Sequence, residues 1–310
     1  MPPEADLQRL AGLGCWRGDP DITPLAGGMT NRNYKVRDRA GTHVVRIGED
    51  LPHHGVMRWH ELAVAQAAHA AGLSPAIRFS EPGLVVMDFI DGQPLSPDRI
   101  SDPRLQPRLA ELLRRCHREI PRHLRGPVLT FWPFQVVRSY LDHLKRHRSR
   151  GSGRLDEFHR LNEKLESRFT GTGLVLGHND LLAGNILDDG SRLWLIDWDY
   201  AGFGTPFFDL ANLATNNRLP TEAELELLGQ YLDTSHIDTN ILANHRCMRV
   251  LSLLREVLWG MVSEIHPAVE FDYATYTEEA LARFDAELAE SGADSRDGTA
   301  TGEPPAPSRR

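Results

Sequence analysis

Three polar side chains stand at fixed intervals in the middle of the chain. Asn185 follows Asp180 by five residues, and Asp197 follows Asn185 by twelve. Short apolar runs on either side of Asp188-Asp189-Gly190-Ser191 predict a β-hairpin between the last two members of this set. Because a hairpin brings its two ends together, we expect Asn185 to lie beside Asp197.

An Asp–Asn–Asp set of this kind suits phosphoryl transfer. One carboxylate orients the attacking hydroxyl and accepts its proton, while an Asn and a second Asp hold the magnesium ions that bridge the phosphates. Asp197 follows an apolar strand, where a low dielectric strengthens metal coordination. Taken one at a time, the three residues would be interpreted as a helix cap, a turn and a strand end. Their order, with a hairpin between two of them, favours the catalytic interpretation.

Two features near the amino terminus could bind the phosphates of a nucleotide. The run Gly27-Gly28-Met29-Thr30-Asn31-Arg32-Asn33-Tyr34 precedes a strand, where backbone N–H groups could cover phosphates. Adjacent glycines are also typical of a plain turn. Arg46 ends an apolar strand and Glu61 lies on the next helix, so the carboxylate could hold a phosphate-binding cation in place. The alternative for Arg46 and Glu61 is a surface ion pair.

Hydrophobic periodicity divides the chain into two regions. Strand patterns occupy Ile22 to Gly48, interpreted as two strands, and the runs 77–79 and 84–90, with one amphipathic helix from Val56 to Ala71. Asp91-Gly92-Gln93-Pro94 breaks this pattern. Helical periodicity then dominates in five segments: 105–119, 134–148, 155–169, 222–231 and 243–264.

These patterns predict an α+β fold with two lobes. A β-rich amino-terminal lobe spans residues 1–90, and a mostly helical carboxyl-terminal lobe spans residues 91–290. Residues 291–310 contain no large apolar side chain. Burial there could not offset the entropy of ordering, so this tail is predicted to be disordered.

Charge and cysteine content limit the partners and the compartment. The 310 residues carry a formal net charge of -8, whereas binding to a nucleic-acid backbone needs a concentrated positive field. Cys15, Cys116 and Cys247 form no CxxC pair, which favours a reducing compartment. The chain starts without a signal-peptide pattern and has no apolar run of about 18 residues. We expect a soluble cytoplasmic protein with no nucleic-acid partner and no stable membrane insertion; the oligomeric state is not predicted.

The segment from Gly177 to Asp199 resembles the catalytic and metal-binding loops of kinase-fold small-molecule phosphotransferases. That group holds the choline and ethanolamine kinases and the aminoglycoside phosphotransferases. The resemblance runs from about Leu25 to about Glu287 and implies a bilobal protein-kinase-like fold with ATP and Mg²⁺ in the cleft. By this resemblance Asp180 is the catalytic base, and Asn185 and Asp197 are the magnesium ligands.

The same resemblance extends to the nucleotide site. The Gly27-Gly28 segment is similar to the Gly-rich loop of choline kinases. Those enzymes also have Arg at the position of Arg46, where protein kinases have Lys. The resemblance further assigns the adenine contacts to the backbone of Asp88 and Ile90.

Residues around the catalytic loop also acquire roles from the resemblance. His178 is expected to help fix the loop, and Asp209 is expected to anchor it through hydrogen bonds. Asp199 is expected at the substrate side of the metal site.

The acceptor pocket is expected near the carboxyl terminus, where aromatic residues and carboxylates are mixed. Aromatic faces bind quaternary ammonium groups, and this region is similar to the ammonium pocket of choline and ethanolamine kinases. Trp259 is the principal candidate, with Tyr200 and Tyr273 beside it, although a Trp on an apolar helix is also typical of a core. Glu256 stands where choline kinases can place a second Trp. A carboxylate pairs best with an ammonium that donates hydrogen bonds, which choline cannot do.

These observations predict an ATP- and magnesium-dependent kinase acting on the hydroxyl of a small cationic amino alcohol. On the overall resemblance to choline kinases, choline is the favoured acceptor, with ethanolamine, an aminoglycoside or another amino alcohol as alternatives. A nucleotide-binding pseudokinase scaffold is the alternative from another class, and the intact Asp–Asn–Asp set argues against it.

Overall fold

The computed structural model describes residues 3–25 and 30–291. Within these residues, the amino-terminal part contains an antiparallel five-stranded sheet: β1 (Asp21–Leu25), β2 (Arg32–Arg37), β3 (Thr42–Ile47), β4 (Ile77–Glu81) and β5 (Leu84–Asp88). The strands lie in the order β1-β2-β3-β5-β4. Two helices accompany the sheet: α1 (Glu4–Ala11) and α2 (Arg58–Ala70).

The rest of the described chain is mostly helical. Its helices are α3 (Pro97–Ile100), α4 (Gln106–His123), α5 (Pro133–Arg146), α6 (Leu155–Arg168), α7 (Pro206–Asn216), α8 (Thr221–Leu232), α9 (Thr239–Ile265) and α10 (Tyr273–Ser291). Its short strands are β6 (Gln93–Pro94), β7 (Val175–Gly177), β8 (Ile186–Asp188), β9 (Leu193–Leu195) and β10 (Gly202–Gly204). β8 pairs with both β6 and β9, and β7 pairs with β10. Among the described helices, none combines the length and the apolar character that a membrane span requires.

This order of elements confirms the predicted α+β architecture and both predicted hairpins, β2–β3 and β8–β9. The segment 22–48 was predicted as two strands, which is wrong, because β1 adds a third strand paired with β2. β1 escapes the strand pattern because it contains Pro24, which strands tolerate at a sheet edge. β5 ends at Asp88 and not at Ile90. Gly27, Gly28 and the tail residues 292–310 lie outside the described residues.

Two apolar cores lie under these elements. The smaller one belongs to the sheet and α1 and consists of Leu10, Tyr34, Val36, Val45, Ile47, Leu84 and Val86. The larger one belongs to the helical part, and it also takes in Val64, Ala67 and Ala68 of α2. The helix that carries Glu61 is therefore packed on the helical part of the chain. The lobe limits at residues 90 and 91 stay a prediction.

A close approach between α9 and α10 shapes the end of the molecule that carries Trp259. A Cβ atom at Gly260 would lie 2.6 Å from Thr277 Oγ1 and 3.3 Å from Thr277 Cα. The Thr277 hydroxyl is itself held, because it donates to the Tyr273 carbonyl at 2.8 Å. Gly260 therefore allows α9 and α10 to pack at this short distance.

Replacing Gly260 by Ala tests this packing. Ala is favoured over Gly by about 1 kcal/mol inside a helix, but overpacking costs about 1–3 kcal/mol. We expect Gly260→Ala to lower the free energy of unfolding, measured by urea denaturation. Gly153→Ala is the control, since no atom lies within 4 Å of its added Cβ. A Gly260→Ala protein at least as stable as the wild type would contradict this account.

Candidate active site

A buried carboxylate holds the loop that follows β7. Asp209 of α7 accepts hydrogen bonds from the backbone N–H of His178 at 2.8 Å and of Asn179 at 2.6 Å. His117 Nε2 lies 2.8 Å from the same carboxylate. Asn179 has a φ of 63°, in the left-handed region that Asn tolerates better than most residues. Despite the burial of Asp209, these donors hold its pKa below the usual value. Asp209 thus lies where an anchor of the loop would be needed.

Two asparagines of the α7 segment hold the next stretch of the loop. The Leu181 N–H donates to Asn212 Oδ1 at 2.7 Å, and the Ala183 N–H donates to Asn217 Oδ1 at 2.8 Å. Asn217 Nδ2 also donates to the Leu181 carbonyl at 2.9 Å. The sequence analysis missed both residues. For Asn212 the available signal was its position three residues after Asp209, at helical spacing.

The hairpin brings the predicted catalytic set to one cavity. The Ile196 N–H donates to the Asn185 carbonyl at 3.0 Å, which places the end of β9 beside the start of β8. Asn185 Nδ2 donates to the Asp180 carbonyl at 2.9 Å. Asp180, Asn185 and Asp197 all line a cavity of about 150 Å³. His178 Nε2 contacts the Ile196 carbonyl at 2.9 Å, so it braces the loop against the hairpin.

Two guanidinium groups and three carboxylates form a largely buried charge cluster, here called the Arg46–Arg58 cluster. Arg46 contacts Glu61 at 2.9 Å, Asp197 at 2.8 Å and also Asp199. Arg58 contacts Glu61 at 2.6 Å and Asp199 at 2.7 Å. Burial lowers the pKa of Arg46, but the three carboxylates more than offset this and hold it above the usual value. The pairing of Arg46 with Glu61 is therefore buried and not a surface ion pair.

Arg58 was not among the predicted site residues. It lies three residues before Glu61 on α2, the spacing at which opposite charges meet on a helix. That spacing was the available signal.

Asp199 receives four contacts from the amino-terminal part of the chain. Thr30 Oγ1 and Asn31 Nδ2 donate to Asp199 Oδ2 at 3.2 and 3.3 Å, while Arg46 and Arg58 contact Asp199 Oδ1. Burial raises the pKa of Asp199, but the two guanidinium groups lower it further, to below its usual value. Asp199 therefore contacts residues predicted to bind phosphate, although the resemblance placed it at the substrate side of the metal site.

The predicted adenine contacts lie apart from this cavity. Asp88 ends β5 and Ile90 lies just beyond it, and neither lines the cavity. The Asp88 carboxylate pairs with Arg78 at 2.6 Å, and its N–H donates to the Ala76 carbonyl at 2.9 Å. These contacts occupy the carboxylate and the N–H group of Asp88.

Aromatic residues and a carboxylate form the other wall of the cavity. Trp259 Nε1 donates to the Tyr200 hydroxyl at 2.7 Å, and both rings line the cavity together with Glu256. The Tyr273 ring lies 6.0 Å from the Trp259 ring, centroid to centroid, and does not line the cavity. His54 stacks on Trp259 with a centroid distance of 5.3 Å.

A buried arginine stands between these aromatic residues and Asp180. Arg255 is 2% exposed, and its Nη1 lies 3.0 Å from Glu256 Oε2 and 3.7 Å from Asp180 Oδ1. Its guanidinium carbon lies 4.2 Å from the centre of the Tyr200 ring. Burial raises the pKa of the Asp180 carboxyl to about 8, and Arg255 opposes that rise. The sequence analysis missed Arg255, although a charged Arg-Glu pair inside an apolar helical run was visible.

The chain matches known proteins over most of its length. Residues 21–251 match the phosphotransferase enzyme family (APH). An ethanolamine kinase from Drosophila melanogaster is 25% identical over 246 residues, which cover 67% of this chain and 46% of that protein. The chain therefore spans less than half of that relative. The protein LicA from Haemophilus influenzae is 24% identical over 269 residues, which cover 84% of this chain and 77% of LicA.

A solved structure gives the same result for the fold. The crystal structure of a choline/ethanolamine kinase family protein from Mesorhizobium loti has a TM-score of 0.73 and 24% identity, covering 92% of this chain and 94% of that one. At this identity the likeness concerns the fold alone, and it confirms the predicted bilobal kinase-like architecture. The segment around Asp180 predicted membership of this family. Because the family match covers most of the chain, this protein belongs to the phosphotransferase enzyme family.

Proposed function

We propose that this protein is a kinase that transfers the γ-phosphoryl group of ATP to the hydroxyl of a small amino alcohol. The observation that carries the proposal is the position of Asp180 in a single cavity. Asn185 and Asp197 line that cavity together with Glu256 and Trp259. A hydroxyl held by the second pair would lie beside the carboxylate, facing the phosphate side.

Asp180 is the proposed general base, which orients the acceptor hydroxyl and takes its proton. Its side chain is 18% exposed, and this partial burial disfavours the charged form and raises the pKa. Arg255 Nη1, 3.7 Å away, stabilises the ionised carboxylate. Arg255 is thus a positioning residue for Asp180 in this mechanism.

The cations of the Arg46–Arg58 cluster are the proposed phosphate-binding groups. Guanidinium groups match phosphate oxygens through paired hydrogen bonds. Glu61 contacts both arginines and would keep them in place when phosphates replace their contacts with Asp197 and Asp199. The segment containing Gly27 and Gly28, with Thr30 and Asn31, is proposed to cover the phosphates, and the backbone of Asp88 and Ile90 to receive the adenine.

Asn185 and Asp197 fit the requirements of a magnesium site. Magnesium prefers oxygen ligands. Asn185 Nδ2 donates a hydrogen bond to the Asp180 carbonyl, so the side-chain amide oxygen is the atom that can bind the metal. The Asp197 side chain is 30% exposed and faces the same cavity. We propose that these two residues hold Mg²⁺, which when bound would neutralise phosphate charge.

Ethanolamine is the acceptor that the contacts of the cavity favour. Glu256 can accept hydrogen bonds from a primary ammonium, whereas a quaternary ammonium has none to donate. The Arg255 guanidinium already contacts the Tyr200 ring, so less aromatic surface remains for a quaternary ammonium group. Choline is the second candidate, because Trp259 offers an aromatic face in the same cavity. An aminoglycoside would need a wider acidic cleft.

Asp180→Asn tests the general base. We expect magnesium-dependent ADP release in the presence of ethanolamine to fall by about 10²–10⁴-fold, the usual contribution of a general base. ATP binding, followed by calorimetry, should persist because Asp180 does not belong to the Arg46–Arg58 cluster. Asp142→Asn, which alters a surface ion pair on α5, is the matched control.

Two results would contradict the proposed role of Asp180. Turnover by Asp180→Asn at the wild-type rate would remove its role as base. A wild-type protein that binds ATP but phosphorylates none of ethanolamine, choline and an aminoglycoside would support the pseudokinase scaffold instead.

Glu256→Gln tests the choice between ethanolamine and choline. Loss of a hydrogen bond between charged groups costs about 1.5–3 kcal/mol, so we expect the KM for ethanolamine to rise about tenfold or more. The KM for choline measured on the same variant reports general damage, such as the loss of the Glu256 contact with Arg255. Equal effects on the two acceptors would contradict a direct contact between Glu256 and a primary ammonium.

Trp259→Ala tests the aromatic wall. Contact between an ammonium group and an aromatic face is worth about 2 kcal/mol when desolvated, so kcat/KM for choline should fall by about tenfold or more. Any turnover of an aminoglycoside should fall much less. An equal loss of kcat/KM for choline and the aminoglycoside, or no loss, would contradict the assignment of Trp259 to the ammonium site. Trp259→Phe, which keeps an aromatic face, should recover part of the choline activity.

A further inference from the structure

We propose that three histidines, His143, His147 and His266, form a transition-metal site separate from the cavity of Asp180. His143 lies in the last turn of α5, and His147 and His266 come directly after α5 and α9. One ring nitrogen of each lies within 4.8 Å of the ring nitrogens of the other two. The group is defined by these residues and is here called the His143 cluster.

The distances of the cluster suit a tetrahedral ion. His143 Nε2 lies 3.0 Å from His266 Nε2. Zinc binds imidazole nitrogen at about 2.0–2.1 Å, so two tetrahedral ligand atoms lie about 3.3 Å apart. Small ring movements would bring the three nitrogens to that spacing. Imidazole also binds copper and nickel well, whereas calcium and magnesium prefer oxygen ligands.

The tautomer of His147 is set by a hydrogen bond to a backbone carbonyl group. Its Nδ1 lies 2.9 Å from the His143 carbonyl oxygen, which can only accept a hydrogen bond. Nδ1 is therefore the protonated nitrogen, and Nε2 keeps its lone pair. Metal-binding histidines typically hold their other nitrogen in this way.

A fourth histidine stands beside the cluster with an unused nitrogen. The His53 ring lies 4.7 Å from the His266 ring and 6.1 Å from the His143 ring, centroid to centroid. Its Nε2 is buried and has no hydrogen-bond partner among the described residues. Buried polar atoms rarely stay unpaired in folded proteins. No nitrogen of His53 belongs to the set that lies within 4.8 Å, so His53 would become a fourth ligand only if its ring moved towards the cluster. The cluster would then have the four nitrogen ligands of a closed site.

The position of His53 gives the site a structural consequence. His53 lies in the short turn 52–54 between β3 and α2, so an ion would tie that turn to the ends of α5 and α9. The next residue, His54, stacks on Trp259 and contacts Tyr140 and Ser263 at 3.1 Å each. Metal binding would therefore stiffen the support behind the aromatic wall of the acceptor cavity.

Cobalt and zinc titrations of the full chain test the site. Co²⁺ serves as the probe because its visible absorption reports coordination, and the protein is first freed of metal with EDTA. We expect one Co²⁺ per chain with the absorption typical of tetrahedral nitrogen ligands, displaced by one equivalent of Zn²⁺. No saturable binding by the wild-type chain would overturn the proposal.

Variants separate the His143 cluster from other metal-binding groups. His143→Gln and His266→Gln should each lose the cobalt spectrum, while His159→Gln, which removes an exposed histidine of α6, should keep it. Asp197→Asn should keep the spectrum and lose phosphoryl transfer, because Asp197 belongs to the proposed magnesium site and the Arg46–Arg58 cluster and not to the His143 cluster. A spectrum that survives His143→Gln, or is lost in Asp197→Asn, would overturn the proposal. His53→Gln should weaken cobalt binding at least tenfold, and unchanged affinity would overturn its role as a ligand.

Discussion

The pairing of buried charges in the Arg46–Arg58 cluster is the constraint on which the site depends. Arg46 comes from the sheet, Glu61 from α2, and Asp197 and Asp199 from the segment after β9. An unpaired buried charge costs several kcal/mol, and removing one partner of such a pair typically costs about 3–5 kcal/mol. The sheet and the hairpin must therefore meet at a defined distance. The guanidinium groups that hold the sheet against the hairpin segment are also the proposed phosphate-binding groups. Nucleotide binding and the contact between these two parts of the chain therefore use the same side chains.

The catalytic loop has little regular structure of its own, and α7 supplies what it lacks. Asp209, Asn212 and Asn217 accept hydrogen bonds from backbone N–H groups of the loop, and these groups would otherwise be buried without partners. The geometry of Asp180 thus depends on a helix that begins at Pro206, nine residues after Asp197. Loops that carry catalytic residues gain precision from a rigid scaffold of this kind.

The acceptor side of the cavity combines an aromatic wall with charges of both signs. Arg255 sits between Asp180 and Glu256 and lies against Tyr200, so it balances two carboxylates that would otherwise repel each other. A pocket of this composition recognises an ammonium by hydrogen bonding as well as by aromatic contact. The support behind Trp259, which includes His54, links this wall to the turn that also carries His53.

The sequence by itself determined the α+β class, the hairpin after Asn185 and the family, because these depend on residue order, periodicity and short-range turn chemistry. It did not reveal β1, whose Pro24 hides an edge strand. Nor did it reveal the roles of Arg58 and Arg255, because the role of an arginine depends on the carboxylates that surround it in space. Only the tertiary structure decided which charges are buried together, because partners more than 130 residues apart, such as Arg58 and Asp199, meet only after folding.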